Sequence, residues 1–317
     1  MKKYTLIITF LAIATTTGFA QIGTPLAQYV GNQLIYNPGY AGVYDLFSVN
    51  LSVRKLWVGV PGSPSLISLN SHAPFQNQRH SLGFVFQREE WGPMIGNYSN
   101  MTYAHKFLLK NSFLNLGVQA GFMNGVTDWD KIEYVQDWDD PGLGEGRTSE
   151  TRLDVNVGAY FQADKFHLGT SVKNLTRPKF DNIVIESTGE QWYSQKRMQF
   201  FFIGGYRFEL DHDWELRAQF LTRYIKTLPT TVDLQLHAVY RSQYLLGVGY
   251  NTAQNAVSLS GSALLTKNLR VSYSYDLYFG KMRNFQKGSH EISINYFFTL
   301  WKGTKIAELP DRTKFYY

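Results

Sequence analysis

In Phe47-Ser48-Val49-Asn50-Leu51-Ser52-Val53-Arg54 the odd positions are apolar and the even ones polar, and this period-two pattern keeps restarting along the chain. Successive side chains of a strand point to opposite faces, so each such segment is a ribbon with one apolar and one polar side. Leu114, Leu116, Val118, Ala120 and Phe122 alternate with Asn115, Gly117, Gln119 and Gly121. Leu153, Val155, Val157, Ala159 and Phe161 alternate with Asp154, Asn156, Gly158, Tyr160 and Gln162. Trp214 to Arg223 and Val232 to Val239 repeat the scheme, with Leu221 and Val239 as apolar residues on the polar side. Fourteen segments carry the pattern, beginning near Phe47, Ser65, Ser81, Tyr98, Phe113, Arg152, Phe166, Gln199, Trp214, Thr231, Tyr244, Ala256, Leu269 and Ser289.

The connections fall into two classes. Short polar ones, Ala163-Asp164-Lys165, Asp211-His212-Asp213, Arg241-Ser242-Gln243 and Thr266-Lys267-Asn268, alternate with longer ones such as 123–151 and 176–198. That asymmetry belongs to a membrane barrel with periplasmic turns and extracellular loops. An even strand number then puts both chain ends on the periplasmic side.

Alternation alone does not separate a membrane barrel from a soluble sandwich. Two features favour the membrane. Tyr98, Trp214, Tyr224, Tyr240, Tyr244, Tyr250, Tyr278 and Phe298 stand near strand ends on the apolar faces, where amphipathic rings meet lipid headgroups. Arg54, Asp154, Lys173, Arg207, Glu209, Arg217, Arg223 and Glu291 lie within strands on the opposite faces, which suits a polar lumen. The chain has no cysteine, so disulfides and thiolate chemistry are excluded. Its charge of +6 is spread without a basic block, which argues against a nucleic-acid partner.

Lys2 and Lys3 before the apolar run Leu6 to Ala14, followed by small residues up to Ala20, read as a secretory signal peptide cut after Ala20. The expected organisation is a signal peptide at 1–20, a periplasmic or lumen-sealing segment at 21–45, a barrel of about fourteen strands at 46–298, and a periplasmic tail at 299–317. The aromatics Tyr29, Tyr36, Tyr40 and Tyr44 argue that the second of these packs against the barrel.

An ordered set of short motifs resembles the PorP/SprF family, outer-membrane proteins of the type IX secretion system of Bacteroidota. Tyr36-Asn37-Pro38-Gly39-Tyr40-Ala41-Gly42 is similar to that family's opening. Trp57-Val58-Gly59, Pro61-Gly62-Ser63-Pro64 and His72-Ala73-Pro74-Phe75 follow. Then come Phe166-His167-Leu168-Gly169-Thr170-Ser171-Val172-Lys173-Asn174-Leu175, Gly205-Tyr206-Arg207-Phe208 and Ser272-Tyr273-Ser274-Tyr275-Asp276. The strand around Phe220 to Lys226 and the tail depart from the pattern. The resemblance implies a barrel that receives secreted proteins with a type-B C-terminal domain, gliding adhesins among them, and supports their export or surface retention. It also implies peptidoglycan-linked periplasmic partners for some members, and other secretion components.

Candidate contact residues lie in the expected extracellular loops: Trp57, Trp91, Trp129, Trp138, Asp139 and Asp140. Tryptophan is enriched in binding hot spots. The carboxylates of 123–151 are of the type that binds Ca²⁺ but lack the alternating acidic loop pattern, so a solvated acidic loop is the expectation. No catalytic residue, cofactor or metal is expected. There is no G-x-S-x-G elbow or H-E-x-x-H pair, and His105 beside Tyr103 reads as an interfacial histidine. A passive porin or hydrophobic-solute channel is the alternative, with Arg207, Arg217 and Arg223 facing Asp154, Glu209, Glu215 and Asp233 across a lumen.

Overall fold

The computed structural model describes residues 25–132, 146–180, 194–226 and 228–300. Fourteen strands form its closed barrel: β1 (Phe47–Lys55), β2 (Ser65–Pro74), β3 (His80–Trp91), β4 (Met94–Leu108), β5 (Phe113–Asp128), β6 (Arg147–Gln162), β7 (Phe166–Lys173), β10 (Gln199–Glu209), β11 (Trp214–Tyr224), β12 (Thr231–Tyr240), β13 (Tyr244–Asn251), β14 (Ala256–Leu264), β15 (Leu269–Tyr278) and β16 (Ser289–Phe298). Each is antiparallel to its sequence neighbour, and β1 closes the cylinder against β16 with Arg54 opposite Glu291. Two short strands, β8 (Lys179–Phe180) and β9 (Ser194–Gln195), pair outside the wall. Among the described residues no helix is long and apolar enough to cross a membrane, and closure gives the strands that role instead, since it leaves no unpaired edge.

Eleven strands begin at the residue that the alternation marks. The other three start earlier, β3 at His80, β4 at Met94 and β6 at Arg147, because pairing continues past the end of clean alternation. Met123–Asp128 and Arg147–Arg152 remain paired, so the expected loop 123–151 narrows to 129–146. The signal peptide at 1–20, Trp138, Asp139 and Asp140, and all but two residues of the tail lie outside the described residues.

The two faces divide as expected. Leu116 is 44% exposed on the outside while its neighbour Asn115 is 0% exposed within. Asp154 and Asp233 point inward beside the outward Val155 and Leu234. Two expected lipid-face aromatics are corrected. Tyr98 lines an inner cavity, and buried Tyr278 bonds Ser289 Oγ at 2.6 Å, because each shares strand parity with inward residues, Asn100 and Asp276.

Candidate functional site

The N-terminal segment is inside the barrel. A 3₁₀ turn (Tyr29–Asn32) runs into α1 (Gln33–Tyr36), and a second 3₁₀ turn (Pro38–Tyr40) follows. Proline disfavours a helical residue before it, and Asn37 is extended at φ −139°, which ends α1. Asn37 Oδ1 then accepts from Gly39 N–H at 2.8 Å and pins the turn.

The barrel wall meets this turn with glycines. A Cβ on Gly117 of β5 would overlap the backbone of Pro38, and one on Gly158 of β6 would overlap the Asn37 amide. The two glycines pair across the strands, so they form one smooth patch. Asn115 Nδ2 beside them donates to the carbonyls of Gly39 and Ala41, both at 2.7 Å. Asn37 Nδ2 donates to Ala159 O at 2.9 Å.

Strands on several other sides of the barrel also hold the segment. Ser171 Oγ and Lys173 Nζ of β7 donate to the carbonyls of Tyr36 and Ile35. Asn32 bonds Ser52 and Asn70, and Gly42 N–H donates to His72 Nδ1. Gln235 of β12 donates to Ala27 O. Lys106 Nζ lies 3.5 Å from Asp45 Oδ1. Apolar contact completes the fit: Leu26, Tyr29, Leu34 and Tyr36 cluster with the inward Leu66, Val85, Ala104, Tyr160, Phe201, Ile203 and Leu221. Burial raises the Tyr29 and Tyr36 phenols above their ordinary value, so both remain protonated.

At the seam where β1 meets β16, Arg54 donates to Glu291 Oε2 at 3.0 Å and is paired with Asp276 of β15; all three side chains are 0–1% exposed. Glu291 Oε2 also accepts from Ala27 N–H at 2.7 Å. One guanidinium thus links barrel closure to the inner segment.

The space left above the segment, on the side of the longer loops, is a cavity of about 110 Å³. Its floor is Pro25, Ile35 and Tyr36, and its walls include Glu89, Tyr98, Asp154, Lys173, Lys196, Arg223 and Asp233. Lys196 donates to Tyr98 Oη at 3.2 Å and lies over the Trp91 ring, 5.5 Å from its centroid. Burial lowers the Lys196 ammonium from its ordinary value.

Trp57 and Trp129 stand on loops at this rim, whereas Trp91, expected in a loop, is the last residue of β3 and pairs with Met94, so the connection there is only a tight turn; the backbone ties the three connections together. Gly92 N–H donates to Gly62 O at 3.0 Å, Asp128 N–H to Pro93 O at 2.9 Å, and Val58 N–H to Gly288 O at 2.9 Å. All three indoles are half-buried. Trp129 Nε1 donates to Thr148 Oγ1 at 3.0 Å, so it is seated on the β5–β6 hairpin. Asp128 is the buried partner of Arg147, at 2.8 Å, which makes it part of the hairpin base instead of a solvated acid.

A family model described as type IX secretion system membrane protein PorP/SprF matches residues 18–296. The chain belongs to the PorP/SprF family. It is an outer-membrane β-barrel of that secretion system. None of the curated proteins matches it. Among solved structures it is similar in fold to the Ralstonia pickettii toluene transporter TbuX, with a TM-score of 0.50, 11% identity, and coverage of 83% of this chain and 92% of that one. A Pseudomonas aeruginosa FadL homologue gives 0.47 and 14% over 88% and 99% of the two chains. The Pseudomonas putida toluene transporter TodX gives 0.48 and 10% over 89% and 98%. At these identities the likeness concerns the barrel alone.

Part of the packing around the inner segment is visible in the strand pattern. Tyr160, Leu221 and Val239 interrupt the polar face of their strands, and two of these, Tyr160 and Leu221, belong to the cluster around the segment. The glycine patch gave no such signal, since glycine is ordinary on a polar strand face.

Proposed function

We propose that this PorP/SprF member holds a secreted protein with a type-B C-terminal domain at the cell surface through its loop rim, and passes no solute through its lumen. The observation that carries this reading is the N-terminal segment bonded to strands on several sides of the barrel. With the interior committed to the chain's own residues, the interlocked connections bearing Trp57, Trp91 and Trp129 are the surface left for a partner. A rigid scaffold that presents half-buried aromatic anchors is well suited to recognising a folded domain. In this reading the loops face outward and the turns face the periplasm, where peptidoglycan-linked partners and the rest of the export machinery attach. The signal peptide is cleaved on export, and no reaction is assigned.

The alternative, a channel for hydrophobic solutes, fits the remaining cavity poorly. The polar, ionisable side chains of Glu89, Asp154, Lys173, Lys196, Arg223 and Asp233 line it, and an apolar solute would desolvate them without replacing their partners.

The test is surface retention and co-purification of secreted proteins from detergent-solubilised outer membranes. Trp91→Ala with Trp129→Ala should release the retained protein into the medium while the barrel level stays constant; Trp129→Ala with Trp138→Ala extends the test to the loop between β5 and β6. Unchanged retention would refute the loop-rim reading. Steady single-channel conductance by the wild-type protein would favour the channel.

A further inference from the structure

On the outward face near the short turns, His80 opens β3 and His105 stands directly opposite it on β4. Their Nδ1 atoms are 3.3 Å apart, and Tyr103 Oη lies 2.6 Å from the same His80 nitrogen. The two imidazoles meet edge to face with centroids 4.6 Å apart, and Phe107 packs against His105 at the same separation. A neutral imidazole nitrogen offers either one lone pair or one proton, so His80 Nδ1 fully satisfies only one of its two polar neighbours. The tyrosine hydroxyl, at the shorter distance, is that neighbour. The remaining separation of 3.3 Å is a long, weak contact for two nitrogens. It is also the spacing of two nitrogens on one tetrahedral cation, since bonds of about 2.0–2.1 Å set them roughly 3.3 Å apart.

We propose that His80 and His105 form a two-imidazole chelate for a divalent transition cation of the Cu²⁺ or Zn²⁺ class. The antiparallel backbone holds both histidines, so the pair is arranged before any ion arrives. Both rings bind through Nδ1 and carry their proton on Nε2, so the ion takes the His80 lone pair that the Tyr103 hydroxyl occupies in its absence, and that hydroxyl turns to a water on the ion. Imidazole suits both metals, and Cu²⁺ leads the divalent series. Among the described residues no group of three His, Asp or Glu converges, so water completes the coordination, with the Tyr103 hydroxyl beside it. This is a different place from the loop rim and does not rest on the reading given above.

The experiment uses the full chain in detergent with an affinity tag that contains no histidine. Cu²⁺ is followed by electron paramagnetic resonance and Zn²⁺ by calorimetry. The expected result is a single ion per chain with two nitrogen ligands. His80→Ala and His105→Ala should each weaken binding by about tenfold or more, since even an outer-shell loss costs 10–100-fold. His290→Ala, which alters the separate His290–Tyr273 pair, should leave it unchanged. Heat-modifiable gel migration verifies that each variant still forms the barrel. Equal binding by the wild type and the double variant would overturn the proposal, as would absence of binding by folded wild-type protein.

Discussion

On β5, Leu116 and Val118 face lipid, while Asn115 and Gly117, which alternate with them, face the chain's own N-terminal segment. The outward residues need only be apolar, because lipid tails impose no shape. Each inward residue meets a specified partner: Asn115 reaches two carbonyls, and Gly117 makes room for Pro38. Across one strand the outer face therefore tolerates apolar exchange and the inner face does not. The same contrast separates two Arg–carboxylate groups, one sealed at the barrel seam and one exposed on a turn.

The largest effect should come from the sealed group. Arg54→Ala would leave Asp276 and Glu291 buried together without their cation. Breaking a buried pair from one side typically costs about 3–5 kcal/mol. Urea unfolding in lipid vesicles should show a loss of that size. A loss under 1 kcal/mol would mean that water reaches the seam, and the inner face would be less individually specified than the contrast holds.

Val118→Arg tests the outer face at mid-strand, where Val118 is 43% exposed to lipid. A cation there costs about 2–4 kcal/mol at the midplane, whereas Val118→Leu or Val118→Ile should be close to neutral. The same unfolding assay reads both. If leucine were as harmful as arginine, the outer face would be packed against a partner instead of lipid.

Gly158→Val probes the cradle. The added side chain would occupy the place of the Asn37 amide, and overpacking costs about 1–3 kcal/mol. Unlike the first two variants, this one should spare the wall and loosen the segment. The expected readout is new protease cleavage within residues 25–45 and the appearance of channel conductance in planar bilayers. Retained protection would show that other contacts suffice to hold the segment.

These sites were unequally visible in the sequence. The outer face follows one rule at every second position, so eleven strand starts and the strand number could be read directly. The inner face obeys no period of its own, because it is fitted to a segment distant in sequence. Gly117 and Gly158 meet residues 37–38 across some 80 and 120 positions, a relation that alternation does not encode. Tyr98 and Tyr278 were misplaced for a related reason: an aromatic ring serves an interfacial belt and a lumen equally well, and only strand parity separates the two. The rim tryptophans were found as residue types, but their loop-to-loop hydrogen bonds come from backbone groups that every residue carries.

The smallest effect belongs to the exposed counterpart of the seam. Asp213, in the turn between β10 and β11, accepts from Arg241 Nε at 3.0 Å and Nη2 at 3.1 Å, with His212 beside it. The Arg241 hydrogen bonds, with a lesser one from His212, hold the Asp213 carboxyl below its ordinary range. A depressed carboxylate adds stability that is fully present above the unfolded value of about 3.9, and that is lost as pH falls through the folded value. Asp213→Asn should therefore differ slightly from wild type near neutrality, and the difference should vanish on acidification. Because both side chains are open to water, moderate salt should shrink the difference further. Urea midpoints at two salt concentrations along an acid series measure this. A difference that persists unchanged at high salt would place the pair in a drier setting than its exposure implies, and the contrast with Arg54 would narrow.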